Sequence, residues 1–412
     1  MLMLSGNDEN GDVNPVPEVW TPGGIRVLSG ASQRLPNYPR IFVAPDGRLY
    51  YAGQQQQTRF LDPSGSGNWT KASMRLFGLR DYGAAVMYER GKILYAGGGR
   101  TTNTAETVDL NQSTQWSWTG SMAFRRRHLN LTVLPTGDVL AVGGTTGTNF
   151  NDKDLAVHPA EIWNPATGIW TVVASNTAPR TYHSTTILLP DGRILSAGAV
   201  EVGVRTAELY SPPYLFKGAR PTITDAPQRV AYGSSFMVTT PDAADISKVS
   251  LIRLGATTHA FDENQRFLGL QFTRQAGALT ITAPGSRNDA PPGHYMVFIL
   301  NGNGVPSVAR IVNVGTASDP NPVNAAPQAE FSSQCTDLTC DFTDHSTDSD
   351  GSVTSWSWNF GDGSTDNGAN QTHTFANPGS YNVTETVRDD DNAPGTVIHQ
   401  VTVPPQSTNS AP

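Results

Sequence analysis

Short runs of alternating apolar and polar residues, separated by glycine-containing turns, recur along the chain before Pro221. Successive side chains of a strand point to opposite faces of a sheet, so this alternation predicts β-strands. In four segments an apolar run leads through a tight turn into a second apolar run and a closing glycine, a pattern typical of β-hairpins. These hairpins lie at 38–53, 82–98, 127–144 and 181–198, with the turns PDGR, ERGK, PTGD and PDGR.

The hairpins repeat at a nearly constant spacing. The closing glycines are Gly6, Gly53, Gly98, Gly144 and Gly198, at intervals of 47, 45, 46 and 54 residues. A further strand pair follows each hairpin and is marked by motifs such as AETVDL, AEIWNP and AELYSP. A period near 50 residues with four strands per unit is that of kelch-type β-propeller blades. Because MLMLSG matches only the second half of a hairpin, the sequence predicts an incomplete kelch propeller of about four and a half blades over 1–217.

The repeat stops after the propeller segment. Residues 218–316 alternate strand-like runs with turns, which predicts an immunoglobulin-like β-sandwich. A linker rich in proline and asparagine follows at 317–326, then a second small sandwich at 327–404 and a disordered tail at 405–412. The prediction is therefore an all-β chain, with one incomplete propeller and two sandwiches.

Composition agrees with many short strands joined by turns. The 412 residues include 40 glycines and 29 prolines, and only 16% are charged. The net charge of −8 gives the chain no electrostatic reason to bind nucleic acid or an anionic membrane surface. The longest apolar run, HYMVFIL at 294–300, is too short to span a bilayer, and we expect a monomer.

The cysteines indicate the compartment. Cys335 and Cys340 are the two cysteines of the chain, and both lie in the last predicted domain. Their close spacing predicts a local disulfide and an oxidising, extracellular environment, although two reduced thiols are the alternative. The N-terminal MLML has no basic region before it and runs into a polar stretch. A secreted protein of this kind would therefore have its leader peptide upstream of Met1.

Candidate chemistry lies at the entries of the inner strands, which converge on the central channel of a propeller. These positions carry Tyr38, Tyr82, His128 and the pair Tyr182–His183. An imidazole beside a phenol suits copper, which accepts nitrogen and oxygen donors. Adjacent residues of a regular strand point apart, so both could reach one metal only from an irregular strand entry. Ordinary packing and hydrogen bonding of the pair is the alternative.

Charged residues precede two of the same strands. Arg80 and Asp81 come before the second hairpin, and a basic run of three arginines, 125–127, comes directly before His128. We predict that His128 and Arg80 contact a substrate at the channel mouth. The alternative for the basic run is a solvated loop.

Three segments resemble the galactose oxidase and glyoxal oxidase family of secreted copper enzymes. They are RTYHSTTILLPDGRILSAG (180–198), ATTHAFDENQRFLGL (256–270) and PPGHYMVFILNGNGVPSVARI (291–311). By that resemblance Tyr182, His183 and His259 are copper ligands, and Tyr182 is the axial ligand and the base that accepts the substrate hydroxyl proton. The resemblance also implies oxidation of a primary alcohol, an aldehyde or a carbohydrate by O2, with release of H2O2.

The family's radical cofactor has no match in the chain. It is a tyrosine cross-linked through a thioether to a cysteine, and the resemblance places both upstream of Met1. We therefore expect the chain to be N-terminally truncated and inactive as an oxidase on its own. The alternative function is a non-catalytic kelch scaffold that binds carbohydrate or protein.

The last domain resembles a PKD module, a small sandwich common in secreted bacterial proteins. The matching segments are WSWNFGDGS (356–364) and THTFANPGSYNVTETVRD (372–389). The resemblance implies an accessory domain that binds a polysaccharide or a cell surface. Asp348 and Asp350 in the DSDGS motif could bind calcium, although turn formation by Asp and Gly is the favoured interpretation.

Overall fold

The computed structural model describes residues 2–7, 10–21, 23–199, 204–259, 261–315, 326–348, 352–389 and 393–406. The chain divides into two compact units, Met1–Asp319 and Pro320–Pro412, which we describe separately. Nearly all of the regular structure is β-strand, so the all-β prediction is confirmed. The described helices are short 3-10 turns at Ser29–Ala31, Lys153–Leu155, Pro213–Phe216 and Ala243–Asp245.

The repeats of the first unit form five consecutive antiparallel sheets, in each of which neighbouring strands in sequence are hydrogen-bonded neighbours. Sheets 1 and 5 have three strands, and sheets 2 to 4 have four. Their strands are as follows: sheet 1, β1 (Leu2–Met3), β2 (Glu18–Thr21) and β3 (Gly24–Val27); sheet 2, β4 (Ile41–Val43), β5 (Leu49–Tyr51), β6 (Gln57–Asp62) and β7 (Asn68–Met74); sheet 3, β8 (Ala84–Glu89), β9 (Lys92–Ala96), β10 (Ala105–Asp109) and β11 (Trp116–Trp118); sheet 4, β12 (Arg127–Val133), β13 (Val139–Thr145), β14 (Pro159–Asn164) and β15 (Ile169–Ser175); sheet 5, β16 (Thr185–Leu188), β17 (Ile194–Ala197) and β18 (Ala207–Tyr210).

The four predicted hairpins are the first two strands of sheets 2 to 5. Glycine is required at the end of such a hairpin because another backbone passes close by. At Gly143 φ is +69°, and a Cβ there would lie 2.1 Å from the carbonyl oxygen of Arg180. Gly143, which directly precedes the closing Gly144, therefore marks the contact between sheet 4 and the entry of sheet 5.

The rest of the first unit adds ten strands. They form a five-stranded sheet ordered β19-β28-β27-β21-β24, a three-stranded sheet ordered β20-β26-β25 and the small hairpin β22-β23, with one core shared by the two larger sheets. The strands are β19 (Arg229–Val230), β20 (Ser235–Thr239), β21 (Ile246–Arg253), β22 (Thr257–Thr258), β23 (Phe261–Asp262), β24 (Phe267–Leu270), β25 (Phe272–Gln275), β26 (Ala278–Thr282), β27 (Gly293–Asn301) and β28 (Arg310–Val314).

This second part of the unit is fastened to the repeat sheets by buried polar contacts. Gln265 accepts a hydrogen bond from the Val133 amide at 2.8 Å and donates one to the Leu131 carbonyl at 2.6 Å. Arg266 donates to the carbonyl of Val43 at 2.9 Å. These contacts hold the segment before β24 against the ends of the inner strands β4 and β12.

The second unit consists of two sheets around an aromatic core. One sheet is ordered β29-β30-β33, and the other β32-β31-β34-β35. Trp358, Phe360 and Phe375 are buried in the core, and Tyr381 packs against it half-buried. The strands are β29 (Phe331–Thr336), β30 (Thr339–Asp344), β31 (Val353–Asn359), β32 (Thr365–Asn367), β33 (Gln371–Thr374), β34 (Gly379–Asp389) and β35 (Pro394–Val403).

The predicted disulfide is confirmed. Cys335 on β29 and Cys340 on β30 are direct cross-strand partners and form a disulfide bond. The predicted linker, apart from its last residue, the tail from 407 onward and Asp350 lie outside the described residues. No helix in the described part of the chain is both long and apolar enough to cross a bilayer.

Candidate metal centre

One position in each hairpin of sheets 2 to 5 has a left-handed backbone. This conformation is uncommon for residues other than glycine and concentrates at functional sites. Here φ lies between 53° and 63° at a residue nine positions before the turn glycine. We call these four residues the inner ring; with their turn glycines they are Tyr38 and Gly47, Tyr82 and Gly91, His128 and Gly137, and His183 and Gly192.

The strained entry resolves how Tyr182 and His183 can act together. A regular strand would point the two side chains apart. The left-handed backbone at His183 instead brings the two rings together, stacked with centroids 4.0 Å apart and an interplanar angle of 25°. Tyr182 is half-buried and His183 is exposed. The pair therefore presents one phenol and one imidazole on the same side of the sheet entry.

His259 joins this pair from the second part of the unit. Its ring lies 4.4 Å from the ring of His183 and 5.6 Å from that of Tyr182, measured between centroids. The three residues predicted as copper ligands are thus brought together in space, although His259 lies more than 70 positions after the other two in sequence.

The hairpin that carries His259 is held by its own side chains. The carboxylate of Asp262 accepts hydrogen bonds from the amides of Ala256, Asn264 and Gln265, at 2.9–3.0 Å. The His259 backbone is left-handed, with φ of +49°, and its Nδ1 is hydrogen-bonded to the Thr258 hydroxyl at 2.6 Å. This fixed loop leaves Nε2 as the nitrogen directed toward the inner ring.

Tyr38 is the fourth ring at this place. Its hydroxyl is hydrogen-bonded to Nε2 of His259 at 2.6 Å, and the two rings are stacked with centroids 3.7 Å apart. Arg40, buried beneath it, donates to the carbonyls of Tyr38 and Gly83 and so holds the strained backbone. Two phenols and two imidazoles therefore lie close together at this place.

Aromatic rings form the wall beside Tyr182. Phe150, which is half exposed, makes edge contacts with Tyr82, His128 and Tyr182 at centroid distances of 4.8–5.5 Å. His128 is fully buried, and its Nε2 donates to the Phe150 carbonyl. This position supports the wall from behind and argues against the predicted direct contact of His128 with a substrate.

Arg80 was predicted to contact a substrate, but in the structure its side chain lies in the interior among protein groups. It is fully buried and pairs with Glu106 at 2.7 Å while donating to the Gly97 carbonyl at 2.9 Å. The same arrangement recurs in the next two sheets, and we call it the arginine layer. Its three pairs are Arg80–Glu106, Arg126–Glu161 and Arg180–Glu208.

The basic run at 125–127 is likewise not a solvated loop. Arg126 belongs to the arginine layer, and Arg127 is buried with a 2.8 Å ion pair to Asp81. Only Arg125 of the three is exposed. Arg126 and Arg127 are adjacent and both buried, so the run of like charges does not indicate which of the three arginines is exposed.

Electrostatics favour the neutral imidazole at His259 and at His128. Burial and the neighbouring His183 lower the pKa of His259, and burial lowers the pKa of His128 to about 4. A neutral imidazole is the form that binds a metal. Burial raises the pKa of Tyr38 and of Tyr182, so without a cation both phenols keep their protons.

The donor set fits copper. Among the described residues no group of three or more His, Cys, Asp or Glu side chains could hold a metal ion, so a metal here would need phenol oxygens beside the two imidazoles. Mixed imidazole and oxygen donors suit Cu(II). The residues present therefore fit the ion that the family resemblance implies.

Comparisons with known proteins point the same way. Residues 220–314 match the family model of the galactose oxidase-like early set domain, and residues 324–403 match that of the PKD domain. Galactose oxidase of Gibberella zeae is 31% identical over 346 residues, which are 74% of this chain and 50% of that protein. The chain is homologous to galactose oxidase and the glyoxal oxidases.

Two further relatives extend the comparison. The aldehyde oxidase GLOX of Vitis pseudoreticulata is 34% identical over 221 residues, 47% of this chain and 42% of that protein. A fungal alcohol oxidase of the AA5 family, solved in complex with copper, superimposes with a TM-score of 0.70 at 27% identity, covering 76% of this chain and 73% of that one. The chain spans about half the length of the galactose oxidases it matches.

Sequence reasoning missed two parts of the centre. Phe150 lies in the long loop between β13 and β14, where nothing in the local pattern marks it. Arg40 is the last residue of the YPR motif. Its hydrogen bonds to two carbonyls form only in the folded chain, so the sequence does not show them. The glutamates of the arginine layer were visible as the repeated AE dipeptides, but their partners were not.

Proposed function

We propose that Tyr182, His183 and His259 bind one copper ion and that the chain carries the copper-binding part of a radical oxidase. The observation that carries this proposal is the meeting of the three rings within 5.6 Å, with His259 supplied by a separate part of the unit. Homology to copper-containing oxidases supports it. Packing alone gives no reason for strained backbones at both histidines.

The residues around the ion would have different chemical roles. Bound copper would supply one-electron redox chemistry at this place. Tyr182 would take the proton of a substrate hydroxyl, since it lies between the histidines and the aromatic wall. Phe150, half exposed beside Tyr182, would pack against a primary alcohol, aldehyde or carbohydrate.

We infer that the five repeat sheets are consecutive blades of a kelch propeller, and that residues 218–316 and 327–404 are immunoglobulin-like sandwiches. The meander order of each sheet and the shared core between paired sheets support these assignments. The domain boundaries predicted from the sequence are retained as part of this proposal.

We also propose an extracellular location and an accessory role for the PKD domain. The Cys335–Cys340 disulfide supports an oxidising compartment. Binding of a polysaccharide or a cell surface would then bring the oxidase centre near its substrate.

Copper binding tests the proposal directly. We expect the full chain to bind one Cu(II), with nitrogen hyperfine structure in its electron paramagnetic resonance spectrum. His183→Ala and His259→Ala each remove an imidazole donor, so the affinity should fall by about 100-fold or more. His294→Ala changes an exposed histidine of β27 and should leave the affinity unchanged.

Peroxide release from primary alcohols and aldehydes is the companion measurement. Both cysteines are joined to each other in the second unit, so the chain has no thiol for a tyrosine–cysteine cross-link. We therefore expect copper binding without turnover. Equal copper affinity in the native chain and the His183 variant would contradict the copper site and favour the non-catalytic scaffold.

A further inference from the structure

We propose that Thr258 is a positioning residue, which holds the proton of the His259 imidazole on Nδ1 and thereby leaves Nε2 bare for a metal ion. The inference rests on the proposed copper site, but it concerns a side chain that does not itself bind the ion. It starts from the Thr258 hydroxyl, which lies 2.6 Å from Nδ1 of His259.

A neutral imidazole has one ring proton, and the position of this proton decides which nitrogen can bind a metal. The nitrogen that carries the proton donates a hydrogen bond, whereas the other has the free lone pair that a metal takes. A ring that exchanges its proton between the two nitrogens offers Nε2 for only part of the time. The group that accepts a hydrogen bond from one nitrogen therefore affects metal binding at the other.

Both nitrogens of His259 have a hydroxyl partner. Thr258 Oγ1 lies at Nδ1, and the Tyr38 hydroxyl lies 2.6 Å from Nε2. A phenol, with an ordinary pKa of about 10, is a stronger acid than an aliphatic hydroxyl, so the Tyr38 O–H is the better donor and its hydrogen points to Nε2. Nδ1 then carries the ring proton and donates a hydrogen bond to Thr258 Oγ1. The Nε2 lone pair that accepts from Tyr38 is the one that an ion would take.

The local backbone brings the two side chains together. Thr258 is the last residue of β22 and pairs with Phe261 across the hairpin. Neighbouring side chains of a regular strand point to opposite faces, but the backbone at His259 is left-handed, with φ of +49°. Threonine branches at Cβ, which restricts χ1 and limits the positions open to its hydroxyl. The strained turn is therefore what brings the Thr258 hydroxyl to Nδ1.

The neighbouring threonine provides a matched control. Thr257 lies on the same short strand and is also half-buried, and its Oγ1 has no hydrogen-bond partner among the described residues. Thr257→Val therefore removes a hydroxyl of the same kind from the same hairpin and leaves the partner of His259 in place.

Nitrogen NMR of the metal-free full chain, made with isotope-labelled histidine, reads the position of the ring proton, because protonated and bare ring nitrogens give well-separated resonances. His259→Ala identifies the His259 signals among those of the eight histidines. We expect a protonated Nδ1 and a bare Nε2 in the unaltered chain and in Thr257→Val. Thr258→Val keeps the branched shape but removes the acceptor, so the two protonation forms should become mixed. Thr258→Ser keeps a hydroxyl and should restore the single form.

Copper affinity is the second readout. Loss of the hydrogen-bond partner of a metal ligand lowers affinity by about 10–100-fold, and we expect a loss in this range for Thr258→Val. Thr258→Ser and Thr257→Val should stay within about threefold of the unaltered chain, because both keep the hydrogen-bond partner of Nδ1. Unchanged melting midpoints of the metal-free variants show that all of them fold.

The outcomes distinguish this inference from the proposed copper site. A proton on Nε2 in the unaltered chain, or an unchanged proton position in Thr258→Val, would overturn the role of Thr258 and leave the copper site standing. Absence of copper binding by the unaltered chain would overturn the copper site and with it the purpose assigned to the bare Nε2. Mixed protonation and weaker copper binding in Thr258→Val, both restored in Thr258→Ser, would support the inference.

Discussion

The arginine layer and the inner ring lie two or three residues apart in the three repeats that contain both, yet they differ in how their chemistry is repeated. The arginine layer uses the same ion pair in three successive sheets. The inner ring keeps the same strained backbone but changes side chain, from tyrosine to tyrosine to histidine to histidine. Repeated chemistry marks a part of the scaffold, whereas a repeated conformation with varied chemistry marks a place where function is built.

The arginine layer is a structural device because every charge in it has several partners. Glu161 accepts hydrogen bonds from the amides of Ala123 and Phe124 as well as from Arg126, and Arg126 also donates to the Gly143 carbonyl. The glutamate thus fastens the segment that enters a sheet to the third strand of that sheet. Buried charges are tolerated when their hydrogen bonds are satisfied in this way.

The largest expected effect comes from breaking one of these pairs. Arg126→Ala leaves Glu161 buried without its cation, so we expect the free energy of unfolding to fall by about 3–5 kcal/mol. Arg125→Ala, at the exposed neighbouring position, should change it by less than about 0.5 kcal/mol. Urea unfolding followed by tryptophan fluorescence measures both. Similar small losses in the two variants would contradict a structural role for the layer.

A buried glutamate in the second unit can be compared with the glutamates of the arginine layer, because it lies in the interior without a cation. Glu385 lies on β34 between Val383 and Val387, fully buried beside Asp344, and within the described residues it forms no ion pair with an arginine or lysine. Burial, with a contribution from Asp344, raises its pKa to about 8. Each glutamate of the arginine layer pairs with an arginine, and Glu385 has no such pair among the described residues.

The sign of its pH effect follows from proton binding. Between the ordinary glutamate pKa near 4.5 and about 8, the unfolded chain loses the proton while the folded unit keeps it. The stability of the second unit should therefore be complete below pH 4.5 and fall as the pH rises toward 8.

Glu385→Gln removes this titration. At pH 8 we expect the variant to be more stable than the native unit by about 2 kcal/mol, with little difference at pH 4.5. Hydrogen exchange of peptides from 352–389 reports the second unit alone. Asp366→Asn on the exposed strand β32 is the control, and an equal pH slope in all three proteins would refute the assignment.

The smallest effect on stability is expected in the inner ring. His183 is exposed and Tyr182 half-buried, so His183→Ala and Tyr182→Phe should change the free energy of unfolding by less than about 1 kcal/mol without metal. The left-handed backbone at His183 costs energy that no burial of its side chain returns. Losses as large as that of Arg126→Ala would remove the distinction between the two regions.

Most of the fold followed from periodic features of the sequence. The turn glycines and the alternation of residues predicted the four hairpins, because both are local requirements of a β-hairpin. The disulfide was predictable for the same reason, since Cys335 and Cys340 face each other across one hairpin. The convergence of His259 on the inner ring was expected from the resemblance of its motif and not from any local pattern.

The predictions for charged residues were the weakest part. Arg80 was predicted to contact a substrate and the run at 125–127 had a solvated loop as its alternative, but the partners of these arginines lie 26 to 46 positions away in sequence. Tyr38 was a candidate by position, whereas its hydrogen bond to His259 depends on the packing of two separately folded parts. Contacts of this kind cannot be read from local spacing.

The central claim is that Tyr182, His183 and His259 form one copper site. Anomalous diffraction at the copper absorption edge, from crystals of the full chain grown with one equivalent of Cu(II), tests it most directly. We predict a single peak within bonding distance of His183 and His259, at about 2 Å from each nitrogen. A peak elsewhere on the chain, or no peak at this position in crystals that contain copper, would contradict it.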